Sequence, residues 1–249
     1  MQPLFVIVCG VFLLQNCGVS AMWRILHSSS NQDELVKVLK DTGSLKDRRV
    51  ADVMRQVDRG KYCKESPYVD GPMSIGYGAT ISAPHMHAYA LEKLKDHLVE
   101  GARALDVGAG SGYLTVCMAL MVGASGRVVG VEHMPELLNK SITNVMHDKP
   151  HLLRDSIIKL VEGDGRAGYS KEAPYNAIHV GAAAEVIPQQ LIDQLAEGGR
   201  MVIPVGPEDV AQVMVIVDKK EDGEVVRTTD TSVRFVPLTD REKQQDNYY

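Results

Sequence analysis

Three glycines at alternate positions, Gly108, Gly110 and Gly112, follow directly on the apolar run Ala104-Leu105-Asp106-Val107 and precede a stretch of helical character over 113–122. A strand that runs through a glycine-rich turn into a helix is the opening unit of an open α/β sheet. Glycine lets the chain turn tightly there and brings backbone N–H groups close to a ligand. That unit commits the residues after it to strands alternating with helices. The expected pattern is present: apolar runs recur at 128–132, 157–161, 177–180, 201–205, 213–217 and 232–236. Helical segments fit between the earlier runs at 113–122, 135–147 and 187–196, with Gly198-Gly199 read as the stop of the last. Alternation of this kind predicts an α/β fold with a doubly wound, mostly parallel sheet. No helical pattern separates the last two runs, so an antiparallel hairpin is expected at one edge.

Upstream, Asn31 with Glu34 three residues later reads as a helix start, and Leu35, Val36 and Leu39 form its apolar stripe. A second helical pattern surrounds residues 50–54, a loop rich in Gly, Pro and Tyr covers 62–78, and helical periodicity returns over 85–98. Residues 1–21 stand apart. The run 4–14 is wholly apolar, shorter than the roughly 20 residues a membrane-spanning helix needs, and is followed by Val19-Ser20-Ala21, small residues suited to cleavage. No Lys or Arg precedes it, and Met22 follows directly. A weak signal or anchor and an extension upstream of a cytosolic start both fit. The expected organisation is an apolar N-terminal segment, 1–21, and a single domain over 22–249.

The turn itself points to a cofactor class. Ligands of open α/β sheets bind at the carboxyl ends of the strands, and Glu132 ends the second strand about 20 residues past Gly112, the place of an acid that grips ribose hydroxyls. A dinucleotide oxidoreductase is the plainer alternative. However, the turn is GxGxG rather than GxGxxG, and Asp106 opens it. A carboxylate beside a helix N-terminus repels pyrophosphate, whereas a cationic, phosphate-free cofactor such as S-adenosylmethionine tolerates or uses one. Gly163-Asp164-Gly165-Arg166, after the third strand, places a carboxylate where an adenine amino group could donate to it; a plain turn is the other reading. The expected fold is therefore the S-adenosylmethionine-dependent methyltransferase (Rossmann-like) type, with added N-terminal helices and an antiparallel edge.

A formal net charge of -5 gives no basic footprint for nucleic acid. Four cysteines without CxxC spacing read as free thiols, and eight histidines without an HExxH array suggest no metal.

The generic domain leaves Gly78-Ala79-Thr80-Ile81-Ser82-Ala83-Pro84-His85-Met86-His87 unexplained. With that segment the chain closely resembles the protein-L-isoaspartate (D-aspartate) O-methyltransferase family. The likeness includes Asp58-Arg59 before Tyr62, Pro67-Tyr68, and residues 79–90, 105–112, 161–166, 173–184, 191–195, 204–207 and 236–240, nearly all of 22–244.

The resemblance implies a repair enzyme, using S-adenosyl-L-methionine, that methylates the free α-carboxylate of L-isoaspartyl residues, and less readily D-aspartyl residues, in damaged proteins and peptides. It implies Ser82 as the active-site serine, and Ala79, Thr80, Ile81, Ser82 and His87 along the cofactor and substrate cleft. Asp106, Glu132, Asp164 and Gly165 would hold the cofactor with Gly108 and Gly110 of the turn, and Thr239 and Gln244 would approach it from the C-terminal segment. A cytosolic monomer without stable membrane association of residues 22–249 is implied as well, with a secretory location the alternative if 1–21 act as a signal.

The acceptor is a carboxylate with an ordinary pKa of about 4, already ionised at neutral pH, so no strong base is required. Ser82 is then read as a donor that aims the substrate carboxylate, its other reading being an N-cap for the helix starting at Pro84 or His85. For His85 and His87, surface or packing roles are the alternative. The substrate backbone is expected to bind in extended form. Ala109 and Glu132 stand where relatives carry serine or aspartate, and 208–211 replaces a more glycine-rich stretch, which leaves the shape of the sheet edge open. Two other functions compete: methylation of a small molecule, which leaves Thr80-Ile81-Ser82 unexplained, and a non-catalytic adaptor, whose relatives bear long C-terminal extensions where this sequence has only Asp246-Asn247-Tyr248-Tyr249.

Overall fold

The structure is a computed structural model, and it describes residues 29–208 and 210–246. The possible signal segment 1–21, Cys9 and Cys17 lie outside the described residues. Helix α1 (Gln32–Asp41) begins where expected: the Asn31 side chain accepts from the Glu34 backbone N–H at 3.0 Å. The Glu34 carboxylate reaches one residue further back than a capping box requires, accepting from Ser30 N–H at 2.8 Å and Ser30 Oγ at 2.9 Å. Helix α2 (Arg48–Gln56) is capped by Asp47. The loop expected over 62–78 contains strand β1 (Met73–Gly76), which pairs antiparallel with β2 (Ala79–Ile81) as a separate hairpin.

Helix α3 (Pro84–Leu94) leads to β3 (Arg103–Val107), α4 (Tyr113–Val122), β4 (Arg127–Glu132), α5 (Pro135–Asp148), α6 (Pro150–Arg154), β5 (Ile158–Glu162) and β6 (Tyr175–Val180). Then come α7 (Gln189–Asp193), β7 (Leu195–Val205), β8 (Gln212–Lys219), β9 (Val225–Val233) and α8 (Arg241–Asp246). Seven strands form one sheet in the order β5-β4-β3-β6-β7-β8-β9. The first five are parallel, and β8 and β9 run antiparallel to their neighbours, so the sheet is mostly parallel with the expected antiparallel edge.

Two boundaries differ from the sequence reading for identifiable reasons. The helix expected over 187–196 stops at Asp193, and Gly198-Gly199 is not its stop signal but lies inside β7. There the pairing with β6 slips, from Tyr175↔Leu195 to Ala177↔Arg200. A bulge and a helix end both call for glycine, and only the neighbouring strand tells them apart. Strand β9 starts at Val225, ahead of the expected 232–236, because its exposed face is Thr- and Asp-rich and carries no apolar alternation. Conversely, the apolar run of β8 follows from its place between β7 and β9: Met214 packs into one core cluster and Val215 and Val217 into the other.

The sheet separates these two cores. Helices α1 to α5 pack on one face, with Leu35, Met54, Leu91, Val116 and Met118 at the centre; the other face buries Leu105, Val107, Ile178, Leu191 and Ile203. Alternation along β3 sends Ala104 to the first core and Leu105 and Val107 to the second, so Asp106 points to the helix-α4 side. Helix α4 is buried on nearly all sides, which suits its wholly apolar sequence, Thr115 excepted. Cys63 and Cys117 are buried free thiols. No helix among the described residues is long and apolar enough to cross a membrane.

Candidate active site

Strand β3 lies between β4 and β6, so the chain connections leave it in opposite directions and open a crevice at its carboxyl end. The three glycines of the following turn have φ of 77°, 53° and 84° at Gly108, Gly110 and Gly112, values that a side chain strains to adopt. Turn and neighbouring strands are tied together. Gly108 N–H donates to the Val131 carbonyl at 2.9 Å, and Gly181 N–H, from the end of β6, donates to the Val107 carbonyl at 2.8 Å.

A cleft of about 530 Å³, partly open to solvent, lies over this crevice. Its floor is Gly108, Gly110, Gly165, Gly181 and Ala182; Val131, Val236, Pro237 and Leu238 give apolar walls; Ala79, Thr80, Glu132, His133, Thr239 and Gln244 complete it. Gly165 belongs there for lack of room, since a Cβ on it would come within 2.5 Å of Val107 Cγ1.

Glu132 organises one end of the cleft. Its two carboxylate oxygens accept from Gly110 N–H and Met134 N–H, both at 3.0 Å, so it holds the glycine turn against β4 while bordering the cleft. At the open side, Gln244 of α8 spans the mouth. Its amide donates to the Tyr77 carbonyl in the β1–β2 turn at 2.7 Å, and its carbonyl accepts from His133 Nε2 at 2.7 Å.

Of the residues singled out from sequence, Ala79, Thr80, Gly108, Gly110, Glu132, Gly165, Thr239 and Gln244 thus meet in one cleft. Asp106 does not line it. Only 1% exposed, it accepts from Thr115 Oγ1 at 2.6 Å and from His179 Nδ1 at 2.8 Å on the α4 side. The repulsion of pyrophosphate assigned to Asp106 therefore falls to Glu132. Asp164 caps the short turn Gly165–Ala167 and pairs with Arg166 at 2.7 Å; that bond holds its carboxyl below the ordinary value. Ile81 is buried.

His87 lies in the core. Its ring centroid is 4.9 Å from that of Tyr113, and its Nδ1 faces Arg59 Nη1 at 3.3 Å. Burial, reinforced by the Arg59 guanidinium, drives its pKa well below the usual 6.5. A buried neutral histidine has a definite consequence for stability. The unfolded chain binds a proton near pH 6.5 that the folded chain refuses, so stability is complete above that pH and falls as pH drops below it. The expected loss is up to about 1.4 kcal/mol per pH unit from this group. Urea unfolding at pH 7 and pH 5 checks it: His87→Phe should show a smaller loss between the two pH values than the parent chain, and an equal loss would remove His87 as the cause.

Sequence reasoning missed Val131, His133, Gly181, Ala182, Val236, Pro237 and Leu238. Val131 and His133 flank Glu132, and Gly181-Ala182 follow β6 at the same sheet end, so the rule that ligands sit at strand carboxyl ends could have found them. Residues 236–238 come from a distant segment, where Ala183 and Leu238 bond across, Leu238 N–H to the Ala183 carbonyl at 2.7 Å.

A second, wider groove adjoins the cleft. It is lined by Ser82, His85, Met86, Arg234 and Phe235 among others, and shares Thr80 and Val236 with the cleft as a common wall. Helix α3 is capped at Ala83 with no side-chain bond, so Ser82 is not its N-cap. The half-buried Ser82 hydroxyl makes no hydrogen bond to the described chain, which leaves it available in the groove. His85 Nδ1 and backbone N–H are both engaged by Asp70, at 2.8 and 3.0 Å. Burial alone would raise the Asp70 carboxyl, but these bonds outweigh it and hold the pKa below the ordinary value.

The donor set tests the cofactor class. No Lys or Arg lines the cleft among the described residues, and a carboxylate does, so a pyrophosphate would meet no countercharge there. An acid beside apolar walls instead suits a ribose and a base without phosphate. With this sheet order and crevice, the class so defined is that of the S-adenosylmethionine-dependent methyltransferases.

Within that class the chain belongs to the protein-L-isoaspartate (D-aspartate) O-methyltransferase family, whose model matches residues 30–243. It is 52% identical over 223 residues to a Caenorhabditis elegans protein-L-isoaspartate O-methyltransferase, covering 89% of this chain and 97% of that one. Identity to an Arabidopsis thaliana protein-L-isoaspartate O-methyltransferase 1 is 51%, over 87% and 95% of the two chains. A Plasmodium falciparum chain described as a protein-L-isoaspartate O-methyltransferase, crystallised in complex with S-adenosyl-L-homocysteine, superposes with a TM-score of 0.80 at 42% identity, over 85% of this chain and 99% of that one.

Proposed function

We propose that this chain transfers the methyl group of S-adenosylmethionine to the free α-carboxylate of L-isoaspartyl residues, and less readily of D-aspartyl residues, in damaged proteins and peptides, and so begins their repair. The observation that carries this reading is the common wall of Thr80 and Val236 between the cofactor cleft and the groove holding the unbonded Ser82 hydroxyl. A carboxylate beside Ser82 faces the cleft across that wall.

The cofactor supplies an electrophilic methyl carbon on a sulfonium. When it is bound, Glu132 would grip the ribose, the glycine turn and Gly165 would let the nucleoside approach the backbone, Leu238 and Val131 would flank it, and Thr239 and Gln244 would close over it. Asp164 would receive the adenine amino group on an oxygen that already accepts from Arg166. Asp106, Ile81 and His87 act from behind the cleft by fixing β3, β2 and α3. Ser82 would donate to one carboxylate oxygen of the substrate and so orient the other toward the cofactor cleft. The acceptor arrives ionised, so catalysis consists of alignment and exclusion of water, worth up to roughly 7–11 kcal/mol in favourable cases. Residues 22–249 form the catalytic domain, acting as a cytosolic monomer on protein substrates and not on nucleic acid.

The test is direct. An isoaspartyl peptide and its normal aspartyl twin are offered with labelled S-adenosylmethionine. Labelling of the isoaspartyl peptide alone is expected; equal labelling, or none, would sink the repair reading. Ser82→Ala removes one charge-assisted donor of about 1.5–3 kcal/mol, so kcat/KM for the peptide should fall roughly 10- to 100-fold. Cofactor affinity should stay within about twofold, as the residue does not line the cleft; lost cofactor binding would contradict the aiming role.

A further inference from the structure

Three charged or titratable side chains line the substrate groove: His85, Glu208 and Arg234. Two are already answered. His85 pairs with Asp70 at 2.8 Å, and Glu208 pairs with Lys243 at 3.0 Å. Arg234 is exposed and has no hydrogen bond, ion pair or ring contact among the described residues. Its backbone is nevertheless held firmly. On one side Val233 pairs with Gln212 in the sheet; on the other, Phe235 N–H donates at 2.9 Å to the Gln212 side chain, itself fully buried. An ordered chain therefore presents an uncompensated guanidinium to the groove.

The position relates it to the acceptor. Val236 forms the wall shared with the cofactor cleft, and Arg234 lies two residues before it. An extended chain rises roughly 3.3 Å per residue, so the two are at most about 7 Å apart along the backbone. A substrate lying extended in the groove has the same rise. The residue beside Arg234 is then one or two positions from the isoaspartyl residue at Val236 and Ser82.

We infer that Arg234 is a specificity-determining residue: it pairs with an acidic side chain one or two positions from the isoaspartyl residue, so that the chain prefers damaged sites in acidic sequence. The inference rests on the repair reading of the groove. A guanidinium pairs with a carboxylate through two parallel N–H donors, which a lysine on the same stem does not reproduce. Binding the acceptor carboxylate itself is the other role open to this cation, and the measurements separate the two.

Isoaspartyl peptides identical except for Glu, Gln or Lys at the neighbouring positions are compared by kcat/KM with the parent chain, Arg234→Gln and Arg234→Lys. The parent should favour the Glu peptide over the Lys peptide by about five- to tenfold at low salt, mostly through KM, and less at 0.5 M salt. Arg234→Gln should bring that ratio near one, and Arg234→Lys should keep part of it. A parent chain indifferent to the neighbouring charge overturns the inference, and so does Arg234→Gln lowering all three peptides equally, which would place the cation on the acceptor. Failure to methylate any isoaspartyl peptide would instead overturn the repair reading, so the two failures are distinct.

Discussion

Glu132→Ala is expected to raise the dissociation constant for S-adenosylhomocysteine about 100-fold or more, through loss of charge-assisted bonds of roughly 1.5–3 kcal/mol each. The carboxylate has two tasks in one place. It borders the cleft at the end of β4, and it accepts from Gly110 N–H and Met134 N–H at 3.0 Å each. Alanine removes the acid proposed to grip the ribose and also frees the glycine turn from β4. Glu132→Asp keeps the charge on a shorter stem and should recover part of the affinity, whereas Glu132→Gln keeps the length and loses the charge. Calorimetric titration of folded variants with S-adenosylhomocysteine checks this order. An alanine variant that binds as tightly as the parent would show that the cofactor is held elsewhere.

The second large effect is on stability. Asp106→Ala should destabilise the fold by about 2–5 kcal/mol, since it leaves two buried donors unsatisfied at roughly 1–3 kcal/mol each. The carboxylate is only 1% exposed and accepts from Thr115 Oγ1 and His179 Nδ1, tying β3 to α4 and to β6. Its removal leaves a hydroxyl and a ring nitrogen without partners, in a site that water does not reach. Thermal unfolding should drop on the order of 10 °C for a chain of this size. Asp106→Asn keeps an acceptor for one of the two donors and should lose less. If alanine left the midpoint unchanged while abolishing cofactor binding, Asp106 would belong to the cleft and not to the scaffold.

These two carboxylates mark how far the sequence could be read. The glycine turn, the alternation of apolar runs and the acid about 20 residues beyond Gly112 sufficed for the sheet and the class of cofactor. Backbone chemistry at the turn is local, and only glycine serves it. Asp106 and Glu132 both read from sequence as acids that hold the cofactor at strand ends. Which of them faces the cleft depends on the pleat and on what lies across it: β3 turns Asp106 toward Thr115, while β4 ends with Glu132 beneath Gly110. The bulge at Gly198-Gly199 and the polar strand β9 escaped notice for a related reason. Each is defined by its pairing partner, and no periodicity of its own announces it.

Ser82 shows the same division. Its identity as the candidate active-site serine came from the resemblance carried by the segment 79–87, and an N-cap role fitted the sequence as well. The helix in fact begins from Ala83 without a side-chain cap, and the hydroxyl is left facing the groove. Local residue chemistry therefore determined the fold class and the cofactor turn, while the family resemblance carried by residues 79–87 pointed to the substrate. Tertiary structure alone decided which acids meet the cofactor cleft, that residues 236–238 wall it, and that Arg234 stands uncompensated in the adjoining groove. The physical reason is that contacts between distant segments are set by strand pleat, register and sheet order, which no stretch of residues carries within itself.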